Sequence, residues 1–246
     1  MTHSLTIGIT EKLGNLWRRL NDRTIGTDDY WWISVQNAAF FMDMEPMIRK
    51  HAKGRCLDLG AGRLAWKALL TGYVDSYIST DQIQEQHLDV ILDATFGLPF
   101  RSGAFDTVFC CSVCEHAPEP WDIFHEMWRV LSDNGVALVS LPFLLHLHDE
   151  PFDYYRFTKY GFEYLARRAG FHVEEIVANG GIFHLILNIP SVTMSSCWEA
   201  LGFRSWIRPC TRAWLAIARL FDSLFLSSRF FASNHIAVLR KINGKA

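Results

Sequence analysis

The sequence predicts an α/β fold with a seven-stranded, mostly parallel sheet, and three observations carry that prediction. Short apolar stretches with strand character alternate with stretches whose apolar residues recur at helical spacing. The first strand runs directly into the glycine turn Gly60-Ala61-Gly62 and then into a helical stretch, which is the strand–loop–helix order of a nucleotide site. The acids Asp58 and Asp81 stand at the ends of the first two strands.

Each element has a local justification. Residues 136–141 form a near-continuous apolar run, as expected of a strand covered on both faces. In the helix before that strand, apolar residues such as Ile123 and Met127 recur at helical spacing. Thr158 can cap the next helix, which Gly170 ends. The predicted strands cover residues 55–59, 76–80, 89–92, 106–111, 136–141, 171–177 and 235–240, and the predicted helices cover 36–52, 63–71, 120–131 and 159–169.

Asp58 favours one of two nucleotide cofactors. A dinucleotide such as NAD places its pyrophosphate over the glycine loop, where a carboxylate just before Gly60 would repel it. S-adenosylmethionine (SAM) has no phosphate, and its positively charged end suits the same carboxylate. Asp81, about 20 residues past the glycines, is placed to hold a ribose diol by paired hydrogen bonds. Residues 60–65 also satisfy the looser G-x-G-x-x-A dinucleotide pattern, so NAD stays the alternative.

The order of motifs resembles a class I SAM-dependent methyltransferase of the type 11 kind over residues 54–178 and again at the last strand. Asp58-Leu59-Gly60-Ala61-Gly62 matches the family's first motif, with Arg63 where a third glycine is frequent. The resemblance implies a Rossmann-like sheet with helices on both faces and a last strand inserted antiparallel beside the sixth. Further matches follow in the family's order at residues 105–109, 112–116 and 128–135.

The resemblance also implies which residues hold SAM. Asp81 matches the ribose acid, and Asp93 with Ala94 matches the acid and following amide that usually contact the adenine. The implied cofactor-binding residues are Asp58, Gly60, Ala61, Gly62, Asp81, Gln82, Asp93, Ala94, Cys111 and His116. More loosely, the stretch from Asp149 to Thr158 resembles a bacterial subgroup that often acts on small molecules, glycans or lipid-linked intermediates.

The loops after strands four and five carry the catalytic candidates. Ligands in such sheets lie beyond the carboxyl ends of the strands, and an oxygen nucleophile usually needs a base. His116 can be that base or can pack beneath the cofactor, and Asp149 can take part in catalysis or start a turn before Pro151. The catalytic candidates are His116, His146, His148 and Asp149.

No metal is expected from the sequence. His146 and His148 share a face of an extended segment but have no third ligand nearby. The cysteines within residues 110–114 lie at the end of a predicted buried strand, and the sequence has no second Cys/His pair at the spacing of a zinc site. We therefore expect these cysteines to pack in the core rather than to bind a metal. Arg156 is expected to pair with an acid rather than to clamp a substrate.

The chain is expected to form one elaborated methyltransferase domain. Ser196–Ala246 holds eight Lys/Arg and two Asp/Glu, against an overall net charge of −2, and its arginines are spread among aromatic residues. That mixture suits an anionic membrane surface at least as well as nucleic acid. We expect no nucleic-acid partner. We expect residues 198–229 to make peripheral contact with a membrane, and a homodimer is the other partner to test. The predicted parts are an N-terminal helical lid (1–53), a SAM-binding core (54–180), a helical insertion (181–233) and the last strand (234–241).

The sequence therefore predicts a cytoplasmic enzyme, with peripheral contact at the inner face of the membrane. Residues 1–10 lack the pattern of a secretory signal, and no stretch reaches the ~18 apolar residues of a spanning helix. The predicted reaction moves a methyl group from SAM to an oxygen, rather than a nitrogen or carbon, of a small-molecule, glycan or lipid-linked acceptor. The alternatives are an NAD-linked oxidoreductase and a non-catalytic SAM-binding partner subunit.

Overall fold

A computed structural model describes residues 2–82 and 87–242 of the 246-residue chain. Among those residues, the strands are β1 (Arg55–Leu59), β2 (Ser76–Asp81), β3 (Val90–Ile91), β4 (Phe105–Cys111), β5 (Leu131–Pro142), β6 (His172–Asn179) and β7 (Asn234–Arg240). The α-helices are α1 (Thr2–Thr24), α2 (Val35–His51), α3 (Lys67–Leu70), α4 (Pro120–Val130), α5 (Lys159–Arg168), α6 (Ile182–Ala200), α7 (Ile207–Leu224) and α8 (Ser228–Phe231).

The seven strands form one sheet in the order β3-β2-β1-β4-β5-β7-β6. The strands from β1 to β5 pair in parallel, whereas β7 lies antiparallel between β5 and β6. The parallel strands therefore all run in the same direction, so their carboxyl ends lie together at one end of the sheet. The predicted Rossmann-like fold class, with its antiparallel last strand and helical insertion, is confirmed.

Side chains alternate between the two faces of the sheet, and helices cover both. On one face, residues such as Leu57 of β1 and Val139 of β5 form a single buried cluster with Phe124 of α4 and Phe162 of α5. On the other face, the ring of Trp66, just before α3, lies 5.6 Å from that of Phe109 in β4. Burial on both faces explains why the central strands read as continuous apolar runs in the sequence.

Two predicted elements differ from the structure by more than two residues at one end. The helix predicted over 63–71 is reduced to α3, because the chain after β1 first makes tight turns: Leu64 has a φ of +59°, and its N–H donates to the Ala61 carbonyl at 2.9 Å. The strand predicted over 136–141 begins earlier, at Leu131, which pairs with Phe105 of β4 before a register irregularity.

The chain divides into two compact units. Unit 1 comprises Met1–Met42 and Gly180–Phe231, and unit 2 comprises Asp43–Asn179 and Ala232–Ala246. Unit 2 contains the sheet, and α2 runs from one unit into the other. Unit 1 is helical, and α7 presents one continuous buried stripe, formed by Ile207, Thr211, Leu215, Ala218 and Asp222. None of the helices described in residues 2–82 and 87–242 has the length and apolar character needed to cross a bilayer.

Candidate functional site

A cavity of about 540 Å³ opens in unit 2 at the carboxyl ends of the parallel strands. This volume is within the range of small-molecule sites in proteins. Its walls come from the loops after β1, β2, β3, β4 and β5 and from the first turn of α4. The lining residues are Leu59, Gly60, Gly62, Asp81, Gln82, Leu92, Asp93, Ala94, Thr95, Ser112, Val113, His116, Ala117, Ile123, Asp149, Glu150 and Phe152.

The glycine loop after β1 forms one wall of this cavity. Gly60 has a φ of +76°, and a Cβ built there would overlap the Val113 side chain, so only glycine fits. The N–H groups of Gly60 and Ala61 both donate to the Thr80 carbonyl at 2.9 Å, which ties the loop to the end of β2. Gly62, with a φ of +49°, faces open space, leaving room for a ligand to approach the backbone.

Asp81, which the sequence predicts to hold a ribose, lies at the cavity. One oxygen of its carboxylate accepts a hydrogen bond from the Gly62 N–H at 2.8 Å, and the residue lines the cavity. Gln82 follows it on the same wall. The carboxylate therefore fixes the glycine loop and reaches the cavity from a single position.

Asp93 and Ala94 line the cavity at the end of β3. Asp93 caps the short 3-10 helix Ala94–Phe96, its Oδ1 accepting from the Thr95 N–H at 2.9 Å and from the Thr95 hydroxyl at 2.6 Å. This cap fixes the direction of the carboxylate and of the backbone beside it. The adenine contact that the resemblance implies for these two residues stays a prediction.

Asp58 has contacts that its position in the sequence did not reveal. Its side chain is 3% exposed, accepts a hydrogen bond from the Tyr77 hydroxyl and does not line the cavity. Burial raises the pKa of its carboxyl to about 7, against an opposing effect of the Tyr77 hydrogen bond. A direct contact of Asp58 with a bound ammonium group stays a prediction.

Cys111 and Ala61 belong to segments that form the cavity, but neither residue lines it. Burial raises the pKa of the Cys111 thiol well above its ordinary value, so the group is a neutral thiol rather than a nucleophile. The Sγ atoms of Cys110 and Cys114 lie 4.0 Å apart within the buried core. The predicted core packing of these cysteines agrees with their surroundings.

Three of the four catalytic candidates lie close together, and His146 lies farther away. His116 and Asp149 line the cavity, and Asp149 Oδ2 lies 3.8 Å from His116 Nε2. His148 packs its ring edge-on against that of His116, with centroids 4.8 Å apart. Both histidines face Glu115, which is fully buried and whose pKa burial raises to about 8. His146 does not line the cavity, and its ring centroid is 6.3 Å from that of His148.

An ion pair holds the loop that carries these residues. Arg156 donates to both carboxylate oxygens of Asp153, at 2.6 and 2.7 Å, and to the His146 carbonyl at 2.9 Å. Asp153 in turn accepts from the His148 N–H at 2.9 Å. The Arg156 hydrogen bonds hold the pKa of the Asp153 carboxyl well below its ordinary value. Arg156 is thus an ion-pair partner, as expected from the sequence.

Sequence reasoning missed Glu115 and the left-handed residue Ser112. Glu115 directly precedes His116, and an acid next to a catalytic candidate just after a buried strand was the available signal. Ser112 lines the cavity with a φ of +55°, as does Asp149 with a φ of +52°. Non-glycine residues in this conformation concentrate at functional sites, where the surrounding structure imposes it.

A family profile described as "Methyltransferase domain" matches residues 57–139, which is the part of the chain from β1 to β5. A protein named only as an uncharacterized methyltransferase, from Mycobacterium sp. (strain KMS), is 42% identical over 43 residues. That match covers 18% of this chain and 17% of the mycobacterial protein, so the chain spans a small part of the relative's length.

Solved structures match over most of the chain at low identity. The [4+2]-cyclase SpnF has a TM-score of 0.57 at 18% identity, covering 85% of this chain and 82% of its own. Phosphoethanolamine N-methyltransferase 2 of Haemonchus contortus, solved with S-adenosyl-L-methionine, has a TM-score of 0.54 at 16% identity. The match covers 92% of this chain and 60% of the Haemonchus chain. The profile match from β1 to β5 and the strand order of the sheet agree with the methyltransferase-like fold that the sequence predicts.

Proposed function

We propose that this protein transfers a methyl group from SAM to an oxygen atom of a small-molecule, glycan-type or lipid-linked acceptor. The observation that carries the proposal is one continuous cavity with two chemically different ends. Gly60, Gly62, Asp81 and Asp93 line one side, and His116 with its neighbour Asp149 lines another. A cofactor and an acceptor can therefore occupy the same cavity in contact with each other.

The cofactor side fits SAM by its donor and acceptor groups. SAM supplies a methyl carbon bonded to a sulfonium, which is already a good electrophile. The Asp81 carboxylate keeps acceptor capacity for a ribose diol while it holds the Gly62 N–H. Asp93 and Ala94 line the same cavity and would contact the adenine, and the open space at Gly62 lets the ligand approach the backbone. The chain's task is to orient the two reactants and exclude water, which can supply ~7–11 kcal/mol of the barrier.

The acceptor side favours oxygen chemistry. His116 Nδ1 lies 3.0 Å from the Phe152 carbonyl, so this nitrogen carries the proton and Nε2 is free to receive one. Nε2 lies at the cavity, near Asp149. A hydroxyl placed there would lose its proton to His116 as its oxygen attacks the methyl carbon.

Calorimetric titration with S-adenosylhomocysteine (SAH) and with NADH tests the cofactor. The proposal expects SAH to bind and NADH not to bind; binding of NADH alone would make the protein an NAD-linked oxidoreductase. Because the neighbour SpnF is named as a cyclase, the fold alone does not fix the reaction. Metabolite profiling with methyl-labelled SAM tests the transfer, and the label must appear on an acceptor oxygen. SAH binding with no labelled product would favour a SAM-binding partner subunit.

We also propose that unit 1 rests on an anionic membrane surface, which suits a lipid-linked acceptor. In α7, Ile217, Leu220 and Leu224 are exposed, beside the buried stripe rather than in it. Phe225, Leu226 and Phe230, which follow that helix in the chain, are exposed as well.

Three arginines of unit 1 contact aromatic rings. Arg208 and Arg212 lie over the Trp32 ring, at 5.2 and 4.6 Å from its centroid, and Arg229 lies over the Phe230 ring at 5.6 Å. Such contacts leave the guanidinium charge in place. Each basic side chain near an anionic leaflet contributes about 1 kcal/mol, so charge and apolar area would act together.

A further inference from the structure

Three metal-ligating side chains converge beside the cavity, on residues from two different loops. One oxygen of Glu115 lies 3.9 Å from His116 Nε2 and 3.9 Å from His148 Nε2. All three ligand atoms lie within 4.8 Å of one another. We propose that Glu115, His116 and His148 bind a divalent transition-metal cation and, resting on the proposed function, that the acceptor hydroxyl completes its coordination.

The hydrogen bonds of the two histidines fix which nitrogen faces the centre. His116 Nδ1 is 3.0 Å from the Phe152 carbonyl, and His148 Nδ1 is 3.1 Å from the His146 carbonyl. A carbonyl oxygen only accepts, so each Nδ1 carries the hydrogen and each neutral ring presents the lone pair of Nε2. Backbone carbonyls on the distal nitrogen are the arrangement that metal-ligating histidines use.

Glu115 supplies the negative charge and the third lone pair. Its side chain is fully buried, and neither carboxylate oxygen has a hydrogen-bond partner among the described protein atoms. When Glu115 is ionised, three groups that only accept point at one another, an arrangement that is unfavourable without a positive charge between them. A cation at this point satisfies all three groups at once.

The surroundings hold the ligands in place. The Glu115 carbonyl accepts from the Tyr154 N–H at 2.9 Å, which joins the loop after β4 to the loop after β5. The Asp153–Arg156 pair then fixes the His148 backbone, since Asp153 accepts the His148 N–H. Supporting contacts of this kind orient metal ligands and tune their affinity.

The donor set indicates the class of ion. Two imidazole nitrogens and one carboxylate suit Zn²⁺ and similar transition-metal ions, whereas Mg²⁺ prefers oxygen ligands. Three protein ligands leave one position open, as in catalytic zinc sites. His116 lines the cavity, so this open position is accessible from the acceptor side.

A bound cation would lower the pKa of a coordinated hydroxyl and so replace His116 Nε2 as the means of activation. The acceptor O–H bond breaks and its proton passes to Asp149 or to solvent. The oxygen lone pair forms the bond to the methyl carbon, and the electron pair of the carbon–sulfur bond stays on sulfur, giving SAH. Atoms and charge balance without any further reactant.

Metal titration of the chelator-treated protein tests the site without SAM or acceptor. We expect Zn²⁺ to bind one to one by calorimetry and Co²⁺ to give visible absorption bands, with Mg²⁺ much weaker. His148→Ala should weaken Zn²⁺ binding by at least ~10-fold. His146→Ala, two residues away on the same loop, is the matched control and should bind like the parent.

SAH binding by each variant reports whether the domain still folds. Glu115→Gln keeps the shape of the side chain and should also weaken Zn²⁺ binding. Absence of stoichiometric Zn²⁺ binding in the parent would overturn the proposal, as would equal binding by His148→Ala and His146→Ala. A failure of methyl transfer with Zn²⁺ bound would instead count against the proposed function and leave the metal site standing.

Discussion

Asp58 is a carboxyl group whose ionisation opposes folding. Its ordinary pKa is 3.8, and burial raises it to about 7 in the folded protein. Between pH 4 and 7 the folded protein holds a proton that the unfolded chain has lost. The free energy of unfolding should therefore fall as pH rises through this window and level off above pH 7, by about 4 kcal/mol at most.

Asp58→Asn should flatten this pH dependence, because the amide does not ionise. Denaturant titrations of both proteins from pH 4 to 8 measure the difference. The exposed Asp75→Asn is the control and should keep the parent's slope. Parallel pH profiles for the parent and Asp58→Asn would contradict the raised pKa.

Asp81 is the residue with which to test the cofactor side. Asp81→Ala removes the acceptor for a ribose diol and for the Gly62 N–H. Loss of hydrogen bonds to a charged group costs roughly 1.5–3 kcal/mol, so SAH affinity should fall about 10- to 150-fold. Calorimetry measures this, with Asp75→Ala, before the opposite end of β2, as the matched control. Undiminished SAH binding by Asp81→Ala would reject the ribose assignment.

At the scale of the elements, helices in unit 1 are capped by side chains from distant parts of the chain. Asp222 of α7 accepts from the Phe183 N–H at 3.0 Å and the His184 N–H at 3.2 Å, so it caps the start of α6. In the same way, Asn188 of α6 accepts from the Gln36 N–H of α2 at 3.1 Å. These contacts fix the helices against one another within the unit.

Asp222→Ala should destabilise unit 1 by at least about 2 kcal/mol, because it leaves buried N–H groups and the His184 and Ser227 side chains without their acceptor. Thermal or denaturant unfolding measures the loss. Thr158→Ala removes a single exposed cap, the bond to the Gly161 N–H of α5, and should cost about 1 kcal/mol. Equal losses in the two variants would show that the Asp222 contacts add nothing beyond an ordinary cap.

The exposed face of α7 makes the membrane proposal testable. Leu220 and Leu224 are 57% and 67% exposed, so replacing both with Glu should leave stability nearly unchanged. The parent should float with phosphatidylglycerol–phosphatidylcholine vesicles at low salt and release as salt rises, and Leu220→Glu/Leu224→Glu should remain unbound. Tyr164→Glu, an exposed site in α5 of unit 2, is the control and should float like the parent. A dimer on sizing that does not float would assign the face to a second copy and overturn the membrane contact.

At the scale of the whole molecule, we expect the cofactor to bind to unit 2 and to stabilise it. The cavity and all its lining residues belong to that unit. SAH should therefore slow hydrogen exchange of backbone amides at Gly60–Gly62 and Ser112–His116, since a ligand that binds only the folded state suppresses local opening. Mass spectrometry with and without SAH measures this. Protection confined to unit 1 would contradict the placement of the cofactor.

The sheet was predictable because strand and helix periods, glycine turns and strand-end acids are local signals. Asp81 was predicted by the same logic, since strand ends gather at one edge of a parallel sheet, whereas Asp93 followed from the resemblance to the family. The pairing of Asp58 with Tyr77 was not, because a side chain's partner depends on which face it shares with the next strand. The approach of His148 to Glu115 depends on how two long loops pack, which spacing along the sequence does not encode.

The junction between β6 and β7 has a consequence for how proteins with this sheet can diversify. Asn179 and Asn234 are register partners, and the Ser233 N–H donates to the Asn179 carbonyl at 2.8 Å. Residues 180–233 thus leave the sheet and rejoin it at one point, as a hairpin loop would. Segments with neighbouring ends can be lengthened or exchanged with little strain on the strands that flank them. The same sheet could in this way acquire a new helical module by changing a single uninterrupted stretch of its gene.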